Sequence, residues 1–154
     1  MRRLAVVALL LAAAAAGGVA PGQAASACRA TPTDGFGPFG QGLPPLRSKT
    51  GTGHVLTGVV LSAVSCKPVP NALVQLWQSN ARGVYVRGLS ATVRTDSGGR
   101  FRYESPRPTS YEGLPPHIHV RVAAKGFETL LSRIVVPSGT RRTSVRLVLV
   151  PALV

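Results

Sequence analysis

Beyond residue 54, apolar and polar positions alternate with a period of two, broken at short intervals by glycine and proline. The clearest stretch is Ala72 to Trp77, where Leu73, Gln75 and Trp77 fall on one face and Ala72, Val74 and Leu76 on the other. His54 to Leu61 is β-branched and apolar, and Cys66 to Asn71, with Pro68 and Pro70, reads as a turn. Asp96-Ser97-Gly98-Gly99 is a hairpin turn joining the short strand Ala91 to Thr95 to Arg100 to Glu104. A proline-rich loop, Ser105 to Pro116, follows. His117 to Ala124 and Phe127 to Val136 read as strands separated by Lys125-Gly126. Ser144 to Val150 is the last, with Val145, Leu147 and Leu149 on one face. No segment holds a helical period, and there is no internal repeat. Many short strands with turns at this spacing predict an all-β fold, an antiparallel β-sandwich over residues 54–154.

Upstream the pattern changes. Met1-Arg2-Arg3, an uncharged apolar run from Leu4 to Ala16 and the small residues Ala24-Ala25-Ser26-Ala27 predict a cleaved secretory signal over residues 1–27, hence export. The run is shorter than the ~20 residues a spanning helix needs. A lipid anchor on Cys28 is the lesser alternative, since Ala25 stands where a bulkier aliphatic residue would be expected. Residues 28–53 form an arm with Pro32, Pro38, Pro44 and Pro45 and glycines at 35, 37, 40, 42 and 51. It has no period, so it is expected to run over the surface without regular structure. Cys28 and Cys66 read as one disulfide in an exported chain, tying that arm to the first strands, with two free thiols as the alternative.

Charge narrows the partners. Losing Arg2 and Arg3 from the 18 basic residues leaves 16 against five acids, a net +11. Such a field attracts anionic polymers, anionic surfaces or carboxylated ligands. The basic residues are scattered, apart from Arg141-Arg142, and are not interleaved with aromatics, so no nucleic-acid partner is expected.

His117-Ile118-His119 is the sharpest chemical feature. On a strand, residues i and i+2 share a face with Cα atoms ~6.5–7 Å apart, so two imidazoles can converge on one metal while Ile118 enters the core. The pattern alone is weak; a pair of polar histidines on a sheet face is about as common. Tyr111 lies in the loop just upstream, and Tyr85 in a turn after the Trp77 strand. Phenolates are hard anionic oxygen donors, and two of them with two imidazoles would favour ferric iron. No acid pairs convincingly with the histidines. The alternative for both tyrosines is surface packing.

The order of these motifs resembles the intradiol ring-cleavage dioxygenases, the family of protocatechuate 3,4-dioxygenase and catechol 1,2-dioxygenase, in their short secreted form. The resemblance covers most of residues 54–136. It rests on Asn71-Ala72-Leu73-Val74-Gln75-Leu76-Trp77-Gln78, Ala81-Arg82-Gly83-Val84-Tyr85, the Arg94-Thr95-Asp96-Ser97-Gly98-Gly99-Arg100-Phe101 hairpin, Ser110-Tyr111 and Pro116-His117-Ile118-His119. It implies a β-sandwich that holds Fe(3+) through Tyr85, Tyr111, His117 and His119. Its substrates would be a catechol-type ring, bound as a dianion, and O2. One tyrosine, carried onto Tyr85, would act as a base, and the product would be a cis,cis-muconate-type diacid.

Two positions depart from the family. An arginine expected three residues before His117 is Leu114, and a glutamine expected in the following strand is Arg133. The missing guanidinium normally stabilises negative charge on the ring; Arg133 could return it from a neighbouring strand, the alternative being that Arg133 faces solvent and the site is degenerate. Two further readings stay open. One is a non-catalytic secreted β-sandwich module that keeps the metal site. The other is a zinc or copper protein using His54, His117 and His119.

Overall fold

The computed structural model describes residues 28–153; the leader expected over residues 1–27 lies outside them. Seven strands form: β1 (His54–Ser62), β2 (Leu73–Ser79), β3 (Tyr85–Arg94), β4 (Arg100–Ser105), β5 (His117–Ala123), β6 (Leu130–Val135) and β7 (Arg142–Leu149). They make a three-stranded sheet, ordered β4-β1-β7, and a four-stranded sheet, ordered β3-β2-β5-β6. No helix is found among the described residues, and none there is long and apolar enough to cross a membrane.

The β-sandwich expectation holds, with one difference of pairing. β1 and β7 run parallel, Val55 opposite Arg142 through Ser62 opposite Leu149. The strands are far apart in sequence, and the chain between them passes through the second sheet. It thus supplies the long crossover that a parallel pair needs. All other strand pairs are antiparallel.

Alternation builds the core. Leu56 and Val60 of β1, Val74 and Leu76 of β2, Ile118, Val120 and Val122 of β5, and Leu147 and Leu149 of β7 all point between the sheets and are buried. β3 starts earlier than the pattern suggests: Tyr85 is its first residue rather than part of a turn. Its first half, Tyr85 to Leu89, has no buried residue, and Val86 is exposed although apolar, which hides the period of two. β6 starts later than expected, at Leu130, because Phe127 pairs in an isolated bridge with Pro151.

The arm contains no named strand, as expected, yet it is closely tied. Cys28 and Cys66 form a disulfide. Thr31 N–H donates to Val148 O on β7 and Asp34 N–H to Leu131 O on β6. Farther on, Arg47 N–H bonds Thr92 O on β3, and Ser48 O accepts from Glu104 N–H on β4. Those four strands are the edges of the two sheets. The arm therefore occupies unpaired edge groups that would otherwise invite association. In passing from the β6–β7 side to the β3–β4 side it crosses the outer face of the four-stranded sheet.

Candidate metal centre

Register places the site on that outer face. His119 of β5 lies opposite Trp77 of β2 and Arg133 of β6, and His117 lies opposite Val135. Ile118 between them is fully buried in the core. The two histidines, although on the outer side of the sheet, are only 3% and 4% exposed. An outward-facing side chain becomes buried only if something lies over it: here the arm lies over His119, and the Tyr111 ring lies beside His117. Phe39 stacks edge-on against both Trp77 and His119, with ring centroids 5.5 and 5.8 Å apart.

Turns deliver the tyrosines. Asn80 closes the β2–β3 connection: its side-chain oxygen accepts from the N–H groups of Arg82 and Val84, at 2.9 and 3.1 Å. Gly83 in that turn has φ +77°, and a Cβ there would lie 2.9 Å from Cδ2 of Tyr111. Only glycine therefore lets the Tyr111 ring rest against the turn that ends in Tyr85. Tyr111 itself begins a tight turn in which Leu114 N–H donates to Tyr111 O at 2.8 Å. Glu112 and Gly113, its central residues, both have positive φ, 48° and 75°, the signature of a type I′ turn. Pro115 and Pro116 then lead the chain extended into β5.

Four donor atoms meet as a result. Tyr85 Oη and Tyr111 Oη are 2.5 Å apart. His117 Nε2 lies 3.4 Å from Tyr85 Oη, 3.1 Å from Tyr111 Oη and 3.2 Å from His119 Nε2. Bonds of ~2.0–2.2 Å from oxygen and nitrogen donors to a common ion, at near-right angles, put the donors about 3 Å apart. The observed spacings are of that size, so the donor set fits an ion. Pro115 O, 2.7 Å from His117 Nδ1, can only accept, so Nδ1 carries the proton and Nε2 presents its lone pair inward.

Electrostatics agree. Burial, with the His117 and Arg133 charges adding to it and Asp34 opposing, lowers the His119 pKa to about 4, so its ring is neutral near pH 7. Burial pushes the Tyr85 phenol well above its ordinary value, helped by the hydrogen bond and charge of Tyr111. Two half-buried phenols held this close want a cation to take up their charge. No group of three His, Cys, Asp or Glu side chains able to hold a metal occurs among the described residues. His54 is not a fifth donor: it lies in the other sheet with Nε2 2.9 Å from Thr143 Oγ1. That removes the three-histidine arrangement considered from sequence.

Arg133, by its pairing with His119, projects from the same face, and Leu131 and Val135 share it. Its guanidinium is engaged: Nη2 lies 3.3 Å from Asp34 Oδ2 of the arm. Leu114 is half-buried beside Tyr111 and brings no charge. Sequence reasoning missed the arm's contribution, namely Asp34, Gly37 and Phe39. A Cβ on Gly37 would lie 2.6 Å from His119 Nδ1. The available signal was the run Asp34-Gly35-Phe36-Gly37-Pro38-Phe39-Gly40, in which aromatics alternate with residues that permit close approach.

No family model matches the chain. Among curated proteins it is similar to catechol 1,2-dioxygenase of Candida albicans, 30% identical over 44% of this chain and 31% of that one. It is also similar to the protocatechuate 3,4-dioxygenase beta chain of Burkholderia cepacia, 32% identical over 50% of this chain and 41% of that one. The chain thus spans about a third of the length of the curated relatives it matches. Among solved structures, the dioxygenase domain of a dioxygenase–carbohydrate-binding fusion from Streptomyces sp. SirexAA-E superposes with a TM-score of 0.71. It is 22% identical and covers 80% of this chain and all of that one. An intradiol ring-cleavage dioxygenase from Tetranychus urticae gives 0.64 at 26% identity, over 70% of this chain and 65% of that one. In local sequence and in fold alike, the chain is similar to catechol and protocatechuate intradiol dioxygenases.

Proposed function

We propose that the protein is an exported intradiol dioxygenase that opens catechol-type rings with O2 to give cis,cis-muconate-type diacids. In this reading ferric iron is held by Tyr85, Tyr111, His117 and His119. The observation that carries it is the convergence of two phenol oxygens and two imidazole nitrogens on one point of a buried outer sheet face. Two phenolates and no carboxylate favour a trivalent ion. Iron held by these four side chains would supply Lewis-acid chemistry toward a ring diol and O2.

The protein's own groups do the rest. A ring diol must give up two protons to chelate. Tyr85 Oη, whose environment favours the protonated phenol, is the acceptor best placed for one of them. The Pro115 carbonyl keeps His117 Nε2 aimed inward throughout. Phe39 and the Gly37 backbone shield the far side of His119 from water. Arg133 supplies positive charge on the site's face, where Leu114 supplies none. Positive charge near a ring that gains electron density lowers the barrier most where water is excluded.

A second reading, a metal-holding module without turnover, is favoured by one observation: the Arg133 charge is already met by Asp34. The net basic charge would suit such a module to an anionic polymer or surface. Ferric reconstitution followed by an oxygen electrode with a panel of catechols separates the two. Visible colour with oxygen uptake and a ring-opened diacid supports the enzyme. Colour without uptake leaves the module, and a colourless, iron-free protein rejects both.

A further inference from the structure

We propose that Asp34 sets the substrate class of this site: by occupying Arg133 it makes the site select catechol-type rings that carry no carboxylate. This deepens the dioxygenase reading and rests on it.

Among the described residues, Arg133 is the one cation whose strand position is directly opposite a residue of the four-donor set, since it faces His119 across the β5–β6 ladder. The other arginine on the β5 and β6 outer face, Arg121, is turned to Gln75 Oε1 at 3.0 Å. A guanidinium here, beside Leu131 and Val135 and next to the point where a ring would chelate, is a natural receptor for a carboxylate on that ring.

The arm forestalls this. Asp34 is fixed in place twice through its own backbone and side chain. Its N–H donates to Leu131 O at 2.8 Å, and its Oδ1 accepts from Phe36 N–H at 3.1 Å. That leaves Oδ2 aimed at Arg133 Nη2, 3.3 Å away. Asp34 thus stands where a substrate carboxylate would bind, carrying the same charge. A ring with its own carboxylate must displace Asp34 or sit beside it, and either costs affinity. A ring without a carboxylate meets an ion pair that is already satisfied. Specificity by a resident like charge is the repulsive half of recognition.

The test compares two rings differing only by a carboxylate, catechol and 3,4-dihydroxybenzoate. Binding is read by fluorescence of Trp77, the chain's single tryptophan, which lies opposite His119 and against Phe39. Ferric-reconstituted protein is titrated anaerobically, so binding is measured without turnover. Asp34→Asn keeps an oxygen at the Phe36 N–H and removes only the charge. It is expected to raise affinity for 3,4-dihydroxybenzoate relative to catechol by about fivefold or more, the size of a partly exposed ion-pair effect. Asp34→Asn with Arg133→Gln should return the ratio to within about twofold of wild type. If both rings bind but Asp34→Asn leaves their ratio unchanged, the selectivity role is wrong and the dioxygenase reading stands. A gain that survives Arg133→Gln is equally fatal to it, because the carboxylate is then bound elsewhere. If neither ring binds wild type or variant, the site reading and this proposal fall together.

Discussion

Both sheets present an outer face built by the same alternation, and the two faces have opposite fates. On the three-stranded sheet the outward residues are Arg100 and Arg102 of β4, Thr57 and Val59 of β1, and Ser144 and Arg146 of β7. They stand beside an open cleft of about 650 Å³, and the arginines are exposed. On the four-stranded sheet the outward residues Trp77, His117 and His119 are buried. The difference lies in what covers them: Phe39 of the arm packs on Trp77 and His119, and Tyr111 of the β4–β5 loop on His117. Alternation decides which side chains leave the core. It does not decide which of them then enter a dry site. Burial of an outward polar residue requires a cover, and a cover with glycines can approach an imidazole without displacing it.

The largest effect that would sharpen this contrast concerns the phenols. In ferric-reconstituted protein, Tyr85→Phe or Tyr111→Phe is expected to abolish or strongly shift the visible phenolate-to-iron band. Tyr103→Phe is the control. Tyr103 is fully buried in the core, and its hydroxyl lies 2.7 Å from Thr50 Oγ1. Its loss should leave the band unchanged and cost stability by about 1 kcal/mol, measured by denaturant unfolding. A band insensitive to Tyr85 and Tyr111 would remove the metal assignment.

Next comes the tether. Cys28 and Cys66 close a loop with a sequence separation of 38. Replacing both by serine is expected to destabilise the fold by about 3–4 kcal/mol on loop entropy. If the arm is what distinguishes the faces, the same variant should lose iron faster to a chelator than wild type at equal folded fraction. Unchanged iron loss would show that the arm stays seated without its anchor.

A smaller and more local change is Gly37→Ala. Its Cβ would meet His119 Nδ1 at 2.6 Å, whereas one on Gly40 would meet no atom within 4 Å. Gly37→Ala is expected to weaken iron binding by about tenfold, roughly 1.4 kcal/mol, through displacement of the arm or the ring. Gly40→Ala should stay within about 0.5 kcal/mol of wild type in stability and keep its iron. Equal behaviour of the two would mean that the close approach over His119 has no consequence.

These tests also mark what could be read in the sequence. The strands and the shared face of His117 and His119 follow from a period of two, which is a local property. Tyr111 and Tyr85 were suggested by residue type and became a set only through the family resemblance, since nothing in their spacing says that two turns meet. The β1–β7 parallel pair and the path of the arm were not legible. Both are fixed by contacts between residues far apart in the chain, such as Asp34 with Arg133 and Thr31 with Val148. Arg133 was a candidate through the family resemblance, and only the register shows that it shares the site's face; its partner was not found, because an irregular segment carries no period from which to project a contact.

The smallest effect asks whether burial alone makes a histidine like those of the site. His54 is 1% exposed on the inner side of the three-stranded sheet. One ring nitrogen has a partner, Thr143 Oγ1 at 2.9 Å, and the other, Nδ1, is buried without one among the described residues. Burial first, and then the nearby Arg107 charge, lowers its pKa from 6.5. The folded state therefore binds the proton less readily than the unfolded chain. The stability this neutral ring contributes is complete above about 6.5 and is lost as pH falls from there through the lowered folded value. Wild type should accordingly lose melting temperature between pH 7 and pH 5 more steeply than His54→Gln, in which the ring is gone and an amide can still reach Thr143. The comparison is between slopes, so carboxylates and His119, common to both proteins, drop out of the difference. Iron content after reconstitution should be the same in both. Parallel slopes would mean that His54 takes up its proton in place, and burial would then not suffice to hold a histidine neutral in this fold. A loss of iron in His54→Gln would instead couple the two sheets in a way that the separation of His54 from the four donors gives no reason to expect.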